Sequence, residues 1–157
     1  MIVSQSLNVP FSLNVAWQII AKLDFFSLLE CGKPGTAHKV YGRSGAVRCF
    51  TLPCRPQLIF EVRQWDRYKR IQVICHHEHK ESAAERLHGV FIRWVKPNLT
   101  EVSICYEGPT ESWWNSLFLP LIKRKIAKRI SLTLEAIRSE GDTLIEQNPA
   151  LVIPPSR

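Results

Sequence analysis

The sequence predicts an α+β fold, a strongly curved antiparallel sheet of about seven strands wrapped around a long C-terminal helix, with two short helices after strand one. Three observations carry this. Apolar residues recur with period two over most of residues 38–107, and turn-forming residues separate the runs. A helical period takes over after Pro109. Strands and helices are segregated along the chain, which separates α+β from alternating α/β architectures. A chain of 157 residues buries one sizeable core, whereas two cores would both be marginal. Residues 1–147 are therefore read as a single domain and 148–157 as a loose C-terminal tail.

Ile2 to Val9 alternates and forms the first strand. Pro10 and Ser12 mark a helix start, and Val15, Ala16, Trp17, Ile19, Ile20 and Leu23 make its apolar stripe. Phe25, Phe26, Leu28 and Leu29 continue as a second short helix, closed by Gly32, Pro34 and Gly35. Strands are then expected at 38–42, 46–52, 58–65, 70–79, 89–96 and 101–107. Ser44-Gly45, Pro53 to Pro56, Asp66-Arg67 and Pro97-Asn98 interrupt them, so neighbours should pair as antiparallel hairpins.

Pro109, Thr110 and Ser112 open the last helix, on which Trp114, Leu117, Phe118, Leu121, Ile122, Ile126, Ile130, Leu134 and Ile137 share one side. It is expected to end before Gly141 and to kink at Pro120, which lacks an amide hydrogen and collides with the preceding turn. No other element is long enough to cover the sheet, and a bent sheet around a helix leaves room for a cavity.

The formal charge is +7, but Lys123, Arg124, Lys125, Lys128 and Arg129 supply five of the positive side chains, without which the chain is close to neutral. The basicity is local to one helix, as a solvated outer face or a peripheral contact with an anionic membrane. Nucleic acid ranks last, because the helix has no interleaved aromatic platform and no binding motif. Cys31, Cys49, Cys54, Cys75 and Cys105 form no CxxC pair and are read as reduced thiols of a cytoplasmic protein. The N-terminus has no basic region before an apolar run, and no stretch reaches the ~18–20 apolar residues of a spanning helix.

Val9-Pro10, Val15-Ala16-Trp17 and Leu23-Asp24-Phe25 at the start, then Gly42-Arg43-Ser44-Gly45-Ala46-Val47-Arg48, Glu61-Val62, Trp65-Asp66 and Arg70-Ile71, form an ordered series over nearly the whole chain. This series resembles the START-like, or SRPBCC, superfamily with the helix-grip fold, and within it the polyketide cyclase/dehydrase-like group. The resemblance implies a cavity between sheet and helix for apolar cargo such as lipids, polyketides and other aromatic or isoprenoid compounds. It does not imply one reaction, since members bind, transport, cyclise or regulate. The histidine-rich fifth strand and the very basic helix depart from the family pattern.

The expected lining of that cavity is Phe60, Val62, Val73, Cys75, His77, Phe91 and Tyr106 from the strands, with Trp113, Trp114, Leu117, Phe118, Leu121 and Ile122 from the helix. Alternation sets Leu58, Phe60 and Val62 inward and Glu61, Arg63 and Trp65 outward. In Cys75-His76-His77-Glu78-His79, the first, third and fifth side chains share a face. Their ~6–7 Å spacing along a strand does not close a metal site without a second element, so no metal or other cofactor is assigned. Arg48, Glu61 and Arg70 are expected to pair across strands. No catalytic residue is nominated, because a lone glutamate without a base, nucleophile or oxyanion partner defines no mechanism.

The expected function is carriage or sensing of a hydrophobic small molecule or lipid. The alternatives are a polyketide cyclase, aromatase or dehydratase and a regulatory protein-interaction domain with a collapsed cavity. A pocket well below ~300 Å³ would argue against a drug-sized ligand, and a buried acid–base pair facing it would favour an enzyme.

Overall fold

The computed structural model describes residues 1–78, 85–109 and 113–154, the side chains of 113–117 excepted. The elements run β1 (Ile2–Val9), α1 (Leu13–Ile20), α2 (Phe25–Cys31), β2 (His38–Tyr41), β3 (Val47–Leu52), β4 (Arg55–Asp66), β5 (Arg70–His77), β6 (Arg86–Lys96), β7 (Leu99–Glu107) and α3 (Trp113–Gln147), followed by a 3-10 turn at Pro149–Leu151. They form one seven-stranded antiparallel sheet, ordered β1-β7-β6-β5-β4-β3-β2, and a long C-terminal helix, the α+β architecture expected from the sequence.

Local chemistry explains the short helices. Ser12 is extended, and its Oγ accepts the Val15 amide at 3.4 Å, capping α1 as serine at this position commonly does. Gly32 ends α2 in the left-handed conformation at φ 70°, where its amide closes on the Leu28 carbonyl. Asp24 Oδ1 accepts the Ala37 amide at 2.9 Å and holds the loop behind α2.

The inner face of the sheet carries Phe50, Leu58, Phe60, Ile71, Val73, Val90, Ile92, Val102 and Ile104, all buried. Phe26 of α2 closes over part of it, with ring centroids 5.2 Å from Phe50 and 6.1 Å from Phe60. The main cover of the β1 and β7 side is α3, which also packs on α1 and α2. Ile130, Leu134 and Ile137 are its buried contacts, and Ile126 is partly buried.

Several expectations are corrected by packing. The helix does not end before Gly141; it continues to Gln147, with Gly141 buried against the Phe11 ring, which any Cβ there would overlap. Glycine is needed at that position for close approach and serves no cap. The segment after Asn148 is docked as far as Ile153, whose amide and carbonyl bond the Asn98 side chain at 2.8 and 2.7 Å. Phe118 and Leu121 do not face the sheet; they are 53% and 64% exposed. They belong to an outward row of Phe118, Leu121, Lys125, Lys128 and Leu132, whose three- and four-residue spacing keeps it on one side of a helix.

In the sheet, the register shifts between Val62 and Gln64, which puts Trp65 opposite the buried Ile71 and on the inner side, edge-on to Trp17 at 5.6 Å. The Arg48–Glu61–Arg70 pairing does not form, because Glu61 lies opposite Ile74 and Arg70 opposite Asp66. Arg70 Nε instead bonds Asp66 Oδ2 at 2.7 Å, and Glu61 is 3.4 Å from Arg63.

Cys31 and Cys54 are joined by a disulfide with Cα atoms 6.4 Å apart, tying the end of α2 to the β3–β4 turn. This corrects the reading of five reduced thiols and removes the cysteine argument for the cytoplasmic assignment. Cys49, Cys75 and Cys105 are free. Among the described residues no helix is long and apolar enough to cross a membrane.

Candidate functional site

Glu30 occupies the last turn of α2, on the same row as Phe26, so helical geometry carries its carboxylate under the sheet, where the residue is 5% exposed. His88 is on the inner face of β6 and is wholly buried. Its Nε2 lies 2.9 Å from Glu30 Oε1, off the line of a well-formed hydrogen bond, and its Nδ1 has no hydrogen-bond partner among the described residues. Arg86 reaches Glu30 Oε2 at 3.6 Å, and Arg129 of α3 donates from Nη1 to the Glu30 carbonyl at 2.8 Å. The Tyr106 ring meets His88 edge-on at 5.1 Å.

Together with Leu29 and Ile126 these groups line a recess of about 90 Å³ at the meeting of α2, β6, β7 and α3. Its electrostatics are mutually compensating. Burial pushes the Glu30 carboxyl up, but the close approach of His88, with Arg86 and Arg129, outweighs it and holds the group below its ordinary 4.5. Burial, aided by the Glu30 charge, pushes the Cys75 thiol up to about 12, so it stays protonated and is no nucleophile at neutral pH. Burial also raises Tyr106, with Arg86 pulling the other way.

The sequence-predicted lining residues separate in the structure. Phe60, Val73 and Cys75 are on the inner face but closed into the core, and Val62 is partly buried beside them. His77 and Tyr106 are half-buried on that face, and Ile122 is half-buried on α3. Phe91 is on the opposite face, because strand alternation turns His88, Val90 and Ile92 inward; its ring covers Gly89. His79 and the side chains of Trp113, Trp114 and Leu117 lie outside the described residues. Among the described residues no three His, Cys, Asp or Glu side chains assemble as a metal group. Of the basic run, Lys123, Arg124, Lys125 and Lys128 are exposed, while Arg129 turns in to the recess.

Sequence reasoning missed Glu30, Arg86 and His88 as a unit. The usable signal was Glu30 itself, a carboxylate on the Phe26 row of an apolar helix. A larger groove of about 420 Å³ lies elsewhere, between the start of α1, Trp94 and the docked C-terminal segment. It is outside the sheet–helix interior, and two of its polar groups are already committed, Ser12 to its cap and Asn98 to Ile153.

No family model and no curated protein matches the sequence. Solved structures do match the fold. A START superfamily protein from Mycobacterium smegmatis superposes with TM-score 0.63 at 14% identity, covering 91% of this chain and 98% of that one. An HSP90 activator from Plasmodium falciparum gives 0.59 at 15% identity, over 87% and 95% of the two chains. A protein in the dynemicin biosynthetic locus gives 0.53 at 13% identity, over 85% of this chain and 47% of that one. The architecture of this chain is thus START/SRPBCC-like, a helix-grip fold.

Proposed function

We propose that the protein binds a hydrophobic small molecule or lipid between the inner face of the sheet and the N-terminal half of α3, carrying or sensing it without covalent chemistry. The observation that carries this reading is the Glu30 recess, a group of charges set in an otherwise apolar wall between helix and sheet. The recess itself is largely polar, with Leu29 and Ile126 as its apolar members, so it supplies the convergent polar groups of a ligand site and the apolar part would have to come from the surfaces beside it. A second feature supports the same location. Lys123 continues the row of Ile130 and Ile137, yet it is exposed, so the helix face that covers the core further on is open to solvent there. At about 90 Å³ the recess is well below the ~300 Å³ of a drug-sized site and does not enclose a whole ligand, so it takes only a head group and the body of the ligand would extend along α3. Native mass spectrometry of freshly purified protein should show a bound lipid or aromatic mass. If nothing co-purifies and no such compound raises the melting temperature, the reading fails and the protein-interaction alternative takes its place.

The Glu30–His88 pair is the one feature that favours the enzymatic alternative. Against it, His88 is wholly buried and the Glu30 carboxylate is engaged on both oxygens, whereas a general base must reach a substrate proton.

The reading extends to delivery at an anionic membrane through the outward row of Phe118, Leu121, Lys125, Lys128 and Leu132, flanked by Lys123 and Arg124. Basic residues near such a surface contribute about 1 kcal/mol each, and apolar side chains between them enter the headgroup boundary. The protein should float with phosphatidylglycerol vesicles and not with phosphatidylcholine vesicles, and Lys125→Gln with Lys128→Gln should weaken flotation. Equal recovery with both vesicles, or an unchanged double variant, would remove membrane contact from the proposal.

A further inference from the structure

We infer that the cargo carries an oxyanion head, a carboxylate or phosphate, which seats in the recess between Arg86, Arg129 and Tyr106. The inference rests on the binding function proposed above and names the chemical class of its ligand.

The charge count within the recess points this way. Among the described residues, two guanidiniums, Arg86 and Arg129, face one carboxylate, Glu30, so these walls hold one excess positive charge before His88 is counted. The remaining titratable neighbours among the described residues do not cancel it, because burial foremost keeps the Cys75 thiol and the Tyr106 hydroxyl in their neutral forms. Partly buried positive charge without a partner is unfavourable, and an anion entering from the α3 side would compensate it.

Geometry supports the same class. Arg129 commits Nη1 to the Glu30 carbonyl, and Arg86 stands 3.6 Å from Glu30 Oε2, longer than a strong charge-assisted bond. Guanidinium forks suit planar carboxylates and phosphates, for which they supply paired donors. The wholly buried His88, whose Nδ1 has no partner among the described residues, adds a polar atom to the same wall. The volume of about 90 Å³ admits one head group and no more. An alcohol or ester head would leave the excess charge where it is, and an amine head would add to it.

The test compares dodecanoate, dodecyl phosphate, dodecanol and dodecylamine by calorimetric titration of the full chain. At least one of the two anions should bind about tenfold or more tightly than dodecanol, the size of effect that one charge-assisted hydrogen bond confers. In Arg86→Met that preference, read as the ratio of anion to dodecanol affinity within the variant itself, should fall to about twofold or less. Which anion wins identifies the source, a fatty-acid-like or a phospholipid-like head. Dodecanol or dodecylamine binding as tightly as both anions would overturn the oxyanion inference and leave the binding function standing. A preference that survives in both Arg86→Met and Tyr106→Phe would overturn its assignment to this recess. Binding of none of the four would overturn the binding function and this inference with it. Should Arg86→Met fail to fold, Tyr106→Phe gives the comparison, since removing one hydroxyl leaves the ring contact with His88 in place.

Discussion

Replacing Glu30 with alanine is expected to destabilise the protein by about 3–5 kcal/mol, the usual consequence of removing one partner from a buried charge cluster. His88 would lose the group 2.9 Å from its Nε2, Arg86 would lose its carboxylate, and both would remain in a wall closed by Phe26 and Phe60. For a chain of this length the melting temperature should fall by about 10 °C or more. A thermal melt checks it; a loss below about 1 kcal/mol would mean that the cluster is solvated and the recess is not a buried polar site.

The same carboxylate sets an acid limit. Its folded pKa is below its unfolded value, so the stabilisation is present above the ordinary 4.5 and is lost as pH falls through the folded value. Wild type should therefore lose stability through that window more steeply than Glu30→Gln, and parallel pH profiles would show that Glu30 is not the group responsible.

Reduction of the Cys31–Cys54 bond is expected to cost about 3 kcal/mol, from the chain entropy released when a loop of this size opens in the unfolded state. The bond joins the last residue of α2, next to Glu30, to the β3–β4 turn, so its loss should also loosen the α2 end that positions the carboxylate. Alkylation in denaturant without reductant should label the three free cysteines, Cys49, Cys75 and Cys105, and all five after reduction. Five labels without reductant would show that the bond is absent. A melting temperature unchanged by reductant would show that it contributes nothing.

Much of the fold was legible because it depends on short-range patterns. The first strand was read as Ile2 to Val9 and is observed with those bounds, and the six later strands were each placed within three residues of their observed starts. Period-two alternation and turn residues are written locally. Where local pattern failed, a long-range contact had won. Gly141 reads as a helix stop, yet it is a helix interior residue kept small by the Phe11 ring. Asn98 reads as a turn residue, yet it also fastens Ile153. Phe91 and Trp65 lie on the faces opposite to those expected, one from an ambiguous alternation and the other because the bulge between Val62 and Gln64 is invisible to strict period two.

By itself, the sequence determined the α+β class, the order of elements, the START-like resemblance and the concentration of positive charge on α3, since composition and periodicity are properties of neighbours along the chain. The site arises only from long-range packing. Glu30, Arg86, His88, Tyr106 and Arg129 come from four elements spread over most of the chain, and only Glu30, a carboxylate in an apolar helix, stands out among its own neighbours. Their meaning arises when burial removes water from between them, because Coulomb interactions that are weak in solvent govern protonation and ligand choice in a closed recess.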